Sequence, residues 1–538
     1  MLGLMMKHDL MISDLIEHAE KVHGDQEIYT LETNGSEHKY TWRDCAKRVR
    51  KLANTLLAQG VKKGDRVATI AWNNYRHIEI YYAVSSIGAI VHTINPRLDP
   101  KQIAWMIGDA EDQWLMFDNT FAPLIDGISK FCPDVKKWVA LSSSDDMLAY
   151  QTDVIAYEDL IAAASEHIHW PRFDENTASS LCYTSGTTGN PKGVLYSHRS
   201  TILHALTGSI GDMVGATSRD VVLTVVPMFH VNAWGLVYSA AIVGAKLVMP
   251  GPGMDGASLT KMINQEGVTL MAGVPTVWLS IYNHVKENDL SLPTVRKALV
   301  GGSALPESLL RAYETDLGID MQQGWGMTET SPLGTTYAPV KGMDDWDYEQ
   351  TVPIKLLAGR RIFGVDMKIV DDEGNTLPED GETSGHLFVR GPWVAGAYFK
   401  GVGADAFTDD GWFATGDVAA LHPNGFMEIT DRSKDVIKSG GEWVSSIEVE
   451  NAAMDHPDVA LAACIGIRHE KWQERPFLIV QPVAGKIPSE EEIGACILAK
   501  CAKWWLPDAI VFEEALPLGA TGKILKRKLK DKYKDFKL

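Results

Sequence analysis

The chain runs to 538 residues, more than one ordinary domain and enough to bury a large core. Its 45% hydrophobic and 22% charged residues describe a soluble globular protein, and no apolar run approaches the ~18 residues that a membrane span needs. The formal charge of −19 argues against a nucleic-acid partner, because phosphate backbones are bound by net positive surface.

Met1–Asp9 is a short apolar start without the basic and long apolar regions of a signal peptide. The strand signal Arg66–Trp72 is followed by an amphipathic helix signal over Tyr75–Ile87. The same alternation recurs through Val221–Val226, Trp234–Val243, Leu259–Gln265, Val268–Val274, Val277–Val285, Lys297–Gly301 and Glu307–Leu317. Strands alternating with helices of this length predict an α/β fold, with parallel sheets covered on both faces and ligands at the strand ends. From about Arg361 the pattern changes. Gly385–Gly391 and Gly425–Ile429 read as strands between Gly/Pro/Asp turns, a smaller β-rich subdomain. Beyond Asp431 a compact α/β unit follows, with helices over Ile447–Met454 and Glu490–Lys503 and strands over Ala460–Ile467 and Pro476–Pro482. The expected division is a large N-terminal domain (1–430), a hinge (431–434) and a small mobile C-terminal domain (435–538). The six cysteines (Cys45, Cys132, Cys182, Cys464, Cys496, Cys501) have neither C-x-x-C nor zinc spacing and suit reduced thiols of a cytoplasmic protein.

The most informative run is Thr184-Ser185-Gly186-Thr187-Thr188-Gly189-Asn190-Pro191-Lys192-Gly193. It holds four hydroxyls, three glycines and one lysine, and it follows a strand ending near Tyr183. Such a loop presents backbone N–H groups, hydroxyls and an ammonium to a polyanion. Pro191 before Lys192 distinguishes it from the G-x-x-x-x-G-K-[ST] P-loop. A flexible Ser/Thr/Gly linker is the bland alternative, which an ordered Pro-Lys-Gly exit disfavours.

Tyr183–Val194 resembles the signature of the adenylate-forming superfamily: acyl-CoA synthetases, peptide-synthetase adenylation domains and luciferases. Met228-Phe229-His230-Val231-Asn232-Ala233-Trp234, Gly324-Trp325-Gly326-Met327-Thr328-Glu329-Thr330, Thr415-Gly416-Asp417, Asp431–Asp435 and Gly519-Ala520-Thr521-Gly522-Lys523 resemble its other motifs, in the family's order. The resemblance covers nearly the whole chain. It implies ATP, Mg²⁺ and coenzyme A as cofactor and substrates, and a small carboxylic acid as partner. Neither a nucleic-acid partner nor a membrane span is expected, and the oligomeric state, a homodimer among the options, stays open.

The resemblance also implies roles. Thr184, Ser185, Gly186, Thr187, Thr188, Gly189 and Lys192 hold the ATP phosphates. Glu329 is the metal ligand, a hard oxygen of the kind Mg²⁺ prefers, and Thr328 donates to the α-phosphate. Gly302, Ser303, Ala304, Trp325, Gly326 and Met327 border the nucleotide, with Trp325 stacking on adenine. Asp417 accepts from the ribose hydroxyls and Arg432 assists. Lys523 neutralises charge between carboxylate and α-phosphate, so the catalytic set is Lys523, Glu329, Thr328, His230 and Thr184. His230, Trp234, Gly302 and Gly326 line the acyl pocket. Lys434 is the hinge, and Lys438, Gly440, Gly441, Glu442 and Trp443 border a CoA tunnel. The basic stretch from Lys526 onward reads as a solvated amphipathic helix rather than a CoA-phosphate patch.

His230 and Trp234 resemble the fatty-acyl-CoA ligase branch. Asp65–His77 and Val91–Leu98 resemble bacterial short- and medium-chain ligases, a group that includes 3-methylmercaptopropionate–CoA ligases. The expected acid is 3-methylmercaptopropionate, with a short or medium fatty acid as the alternative. An acyl-AMP or carrier-protein ligase, and a catalytically silent acyl-binding protein, are the readings from other classes.

Overall fold

The computed structural model describes residues 1, 3–184, 190–432, 435–439, 442–469, 472–519 and 523–536, with Arg432, Lys438, Glu442 and Trp443 described through their backbone. Two seven-stranded sheets dominate. The first has the order Asp320–Gln323, Lys297–Val300, Leu270–Gly273, Val221–Thr224, Lys246–Met249, Glu27–Leu31, Glu37–Thr41. All its neighbours are parallel except the closing hairpin. The second runs Val154–Ala156, Lys137–Ala140, Trp114–Phe117, Arg66–Ile70, Ile90–Thr93, Ala178–Tyr183, Gly193–Ser197, parallel until its last pair. The strands are short, apolar and buried, as parallel strands covered on both faces must be.

Helix α1 (Tyr75–Ser86) is buried at every position and capped by the Asn74 side chain, which accepts from the His77 N–H. Its core cluster takes Val67, Val91 and Met116 from one sheet and Val222, Leu247 and Leu270 from the other, so helices lie between the two sheets. The expected β-rich subdomain is a four-stranded antiparallel sheet, Asp366–Val370, Ser384–Arg390, Phe413–Leu421 and Met427–Arg432. From residue 437 on, the described strands pair only with one another. Val459–His469 and Gln473–Pro482 form their centre, under helix α2 (Ser446–Met454) and the C-terminal helix α3 (Lys526–Tyr533).

Five strands of the two large sheets lead into the candidate site: β1 (Ala178–Tyr183), β2 (Gly193–Ser197), β3 (Val221–Thr224), β4 (Lys297–Val300) and β5 (Asp320–Gln323). Two expectations are corrected. The helix expected over Trp234–Val243 spans Leu236–Val243, because Val231–Trp234 form a left-handed turn. The lysine run is not uniformly solvated. Lys526 Nζ lies 2.7 Å from Glu450 and donates to Ser446 Oγ; burial alone would lower its pKa, but the Glu450 and Asp431 carboxylates outweigh it and raise the pKa.

Candidate active site

The site gathers where several parallel strands end, the usual position for ligands in such sheets. β1 and β2 form an antiparallel hairpin with Tyr183 opposite Gly193. Its mouth is closed by the Thr184 N–H donating to the Lys192 carbonyl at 2.8 Å and the Lys192 N–H reaching Thr184 Oγ1 at 3.4 Å. Ser185, Gly186, Thr187, Thr188 and Gly189, within this hairpin, lie outside the described residues. The Lys192 ammonium sits 4.8 Å from the Tyr398 ring centre, and a Cβ on Gly403 would meet it at 2.4 Å.

Tyr398 links that lysine to the metal-ligand candidate. Its hydroxyl donates to Glu329 Oε1 at 2.6 Å, and burial together with this carboxylate raises the phenol pKa. Glu329 is 5% exposed, at the centre of the short turn Thr328–Thr330. Its carbonyl accepts from the Ala395 N–H at 2.8 Å, and the Thr328 carbonyl accepts from Tyr196 Oη on β2 at 2.6 Å. Among the described residues no group of three His, Cys, Asp or Glu forms a metal cage. One hard carboxylate fits Mg²⁺ of the kind whose other ligands are substrate phosphates and water.

The turn after β5 carries Trp325. Its indole Nε1 donates to Asp417 Oδ2 at 2.9 Å, and its backbone N–H donates to Thr335 Oγ1 at 3.0 Å. Asp417 is 1% exposed on β6 (Phe413–Leu421), where its backbone faces Arg432 of β7 (Met427–Arg432). Gly326 has to be glycine, since a Cβ there would lie 1.6 Å from the Pro332 carbonyl oxygen. Met327 lies beside it, packed with Trp325 and Leu333 against the core of the antiparallel sheet.

Past β4 the chain turns through Gly301 and Gly302, the latter at φ +84°, with Ser303 exposed and Ala304 partly buried. A Cβ on Gly301 would collide with Trp234 Cη2 at 2.8 Å. A Cβ on Gly302 would stand 3.6 Å from Lys523 Cε, so the C-terminal lysine reaches this wall. Beyond β3, His230 is held down to about 4 by burial and then by the nearby Lys523 ammonium, leaving a neutral imidazole at pH 7. Val231, Asn232, Ala233 and Trp234 have φ of 47°, 51°, 51° and 54°. Left-handed backbone costs L-residues other than asparagine about 1–2 kcal/mol each, so Val231, Ala233 and Trp234 store roughly 3–6 kcal/mol that their surroundings must offset.

The structure therefore brings Lys523, His230, Gly302 and Trp234 together, and separately Lys192, Glu329 and the Trp325–Asp417 pair around the same loops. Lys434, Gly440 and Gly441 lie outside the described residues, and Arg432, Lys438, Glu442 and Trp443 are placed by backbone alone. Sequence reasoning missed Tyr398 and Tyr196. Neither has a local signal, since a tyrosine that fixes a carboxylate or carbonyl through space reads as a core aromatic.

Residues 16–399 match the family model described as AMP-binding enzyme, and residues 448–523 match the AMP-binding enzyme C-terminal domain. A 3-methylmercaptopropionyl-CoA ligase of Ruegeria lacuscaerulensis is 48% identical over 536 residues, covering 99% of each chain. A medium-chain-fatty-acid–CoA ligase of Ectopseudomonas oleovorans is 48% identical over 543 residues, covering 100% of this chain and 98% of the relative. Among solved structures, an anthranilate CoA ligase in complex with anthranoyl-AMP superposes with a TM-score of 0.87 at 25% identity, covering 99% and 98% of the two chains.

Proposed function

The chain belongs to the AMP-binding enzymes, and from that premise we propose that it is an AMP-forming acid–CoA ligase acting on 3-methylmercaptopropionate. In the first half-reaction the carboxylate attacks the α-phosphorus of ATP, giving acyl-AMP and pyrophosphate. In the second, the thiolate of coenzyme A attacks the acyl carbonyl and AMP leaves with the carboxylate-derived oxygen. The carrying observation is Lys523, delivered from the C-terminal unit to the glycine wall beside His230.

The chemistry needs cations and donors more than a side-chain nucleophile, because both reactants are anionic. Lys523 neutralises charge as the carboxylate meets the phosphate. Thr184, Lys192 and the intervening loop hold the phosphates, and Thr328 donates to the α-phosphate. Glu329 would supply the protein oxygen to a Mg²⁺ ion, which would screen the phosphate charge. Trp325 faces adenine and Asp417 takes the ribose hydroxyls, with Arg432 assisting. His230 stays neutral, so it packs against the acid without adding a second positive charge. Trp234 and the glycines close the acyl pocket to a short chain.

Thioester formation then uses a second arrangement, with residues 1–430 and 435–538 moving as two bodies about Lys434. Gly440 and Gly441, with Lys438, Glu442 and Trp443, pass the pantetheine arm.

A medium-chain fatty acid is the alternative substrate, favoured by the name of the equally similar Ectopseudomonas relative. A panel of 3-methylmercaptopropionate and straight-chain acids of rising length, assayed for CoA-dependent AMP release, separates the two. The highest kcat/KM for 3-methylmercaptopropionate supports the proposal. A preference for six to eight carbons with poor use of the thioether acid transfers the assignment to medium-chain fatty acids.

A further inference from the structure

The left-handed turn Val231–Trp234 has one polar side chain, Asn232, which is 5% exposed. Its amide donates to Ser180 Oγ at 2.9 Å. Its Oδ1 accepts from Tyr81 Oη at 3.1 Å and from Cys182 Sγ at 3.4 Å. Tyr81 shares its single hydroxyl hydrogen between Asn232 and the Met228 carbonyl, and the Met228 N–H donates to Asn73 Oδ1 at 2.6 Å. Asn232 thus reaches in one direction to α1, through Tyr81, and in the other to β1, through Ser180 and Cys182.

Those partners matter because of what each element carries. β1 runs directly into Thr184 and the phosphate hairpin. The turn itself begins at His230, whose carbonyl accepts from the Ala233 N–H at 3.2 Å, and ends at Trp234, which lies on Gly301. Asparagine is among the few non-glycine residues that tolerate the left-handed region, and a buried amide bonded through both its oxygen and its nitrogen has little freedom to leave.

We infer that Asn232 is a positioning residue that rivets the acyl wall to the phosphate-hairpin strand and so sets acid selectivity and couples acid binding to ATP binding. The inference rests on the acid–CoA ligase reading. Without the rivet the strained turn relaxes, Trp234 leaves Gly301, and the acid site loses its registration with the nucleotide site. Linkage makes the coupling reciprocal, so saturating ATP lowers the acid Kd in the wild type by a factor that the rivet helps to set.

Three variants test it in the full-length protein: Asn232→Gly, Asn232→Asp and Ser180→Ala. Glycine is at ease at φ near +50° and so removes the rivet while keeping the backbone conformation available. Aspartate keeps the acceptor and the shape but withdraws the N–H donated to Ser180. Ser180→Ala removes the partner from the opposite side. The readouts are kcat/KM for acids of graded length, the ATP-dependence of acid binding, and the melting temperature. We expect Asn232→Gly to raise the acid KM about tenfold or more, to flatten the chain-length profile, and to shrink the ATP–acid coupling. Ser180→Ala should move the same readouts in the same direction with a smaller amplitude. A role confined to backbone stability would lower the melting temperature while leaving acid rank order and coupling as in the wild type, and that result overturns the inference. If Asn232→Gly does not fold, Ser180→Ala decides, since an unchanged profile there overturns it equally. If the wild-type protein shows no CoA-dependent AMP release with any acid, the ligase reading fails instead.

Discussion

The indole Nε1 of Trp325 donates to Asp417 Oδ2 at 2.9 Å, joining two motifs 92 residues apart. The aromatic group assigned to the base and the carboxylate assigned to the ribose are therefore one unit. A hydrogen bond to a charged group contributes about 1.5–3 kcal/mol, about ten- to hundredfold in binding. Trp325→Phe keeps an aromatic face and deletes the N–H. The ATP KM should rise about tenfold with kcat nearly unchanged, as loss of uniform binding requires. Steady-state kinetics at saturating acid measure it, and an unchanged ATP KM would show that Asp417 is positioned without the indole.

Lys523→Ala removes the ammonium next to the developing charge. Acid-dependent ATP–pyrophosphate exchange should fall by about two to three orders of magnitude. The melting temperature should hold, because Lys523 is partly exposed and outside the apolar clusters of the C-terminal unit. Exchange within about tenfold of wild type would remove Lys523 from the adenylation step.

How much of this was legible in the sequence depends on where the partners lie. Lys192 sits in a glycine- and hydroxyl-rich segment whose composition announces a phosphate loop, whereas Glu329, Asp417 and Lys523 stand out only because their short motifs resemble those of the adenylate-forming family. The supporting residues had no such context. Tyr398 meets Glu329 from 69 residues away, Tyr196 meets Thr328 from 132, and Asn232 meets Ser180 from 52. The apolar period around Trp234 predicted a helix starting there. The strained turn won instead, because tertiary hydrogen bonds outweigh local propensity. Lys526 misled for the same reason: a lysine in a basic run reads as solvated, and only the fold places Glu450 against it.

Trp234 lies on Gly301 and also touches two core clusters. If its ring limits the acyl tunnel, Trp234→Ala should shift preference toward longer acids. Burying each added methylene contributes about 0.8 kcal/mol, so two carbons change relative kcat/KM roughly tenfold. Loss of stability with the same rank order of acids would make the ring a core residue only.

Four buried histidines predict the acid side of the stability curve. His77, His198, His204 and His230 are each held at about 4 by burial, with Lys523 adding to the effect at His230. His198 Nδ1 accepts the Ile12 N–H at 3.1 Å and His204 Nε2 accepts the Leu333 N–H at 3.3 Å, bonds that require those nitrogens unprotonated. Unfolded, each ring takes a proton near its ordinary 6.5; folded, it resists until about 4. Their contribution is thus fully present above pH 6.5 and is lost as pH falls through 4. At pH 5 each fully held ring costs up to about 2 kcal/mol. Melting temperatures between pH 7 and pH 5 should fall, and His198→Asn, which retains an acceptor but does not titrate, should reduce the slope. An unchanged slope in that variant would mean His198 is not held neutral.

The central claim, that the acid is activated as an adenylate, is tested most directly by the fate of a carboxylate oxygen. Acid labelled with ¹⁸O in both carboxylate positions is turned over with ATP, Mg²⁺ and coenzyme A, and the products are examined by mass spectrometry. Attack on the α-phosphorus followed by thiolysis predicts one ¹⁸O in each AMP formed, none in pyrophosphate, and one AMP per acyl-CoA. Label in inorganic phosphate with ADP as the other product, or acyl-CoA formed with unlabelled AMP, would contradict the account.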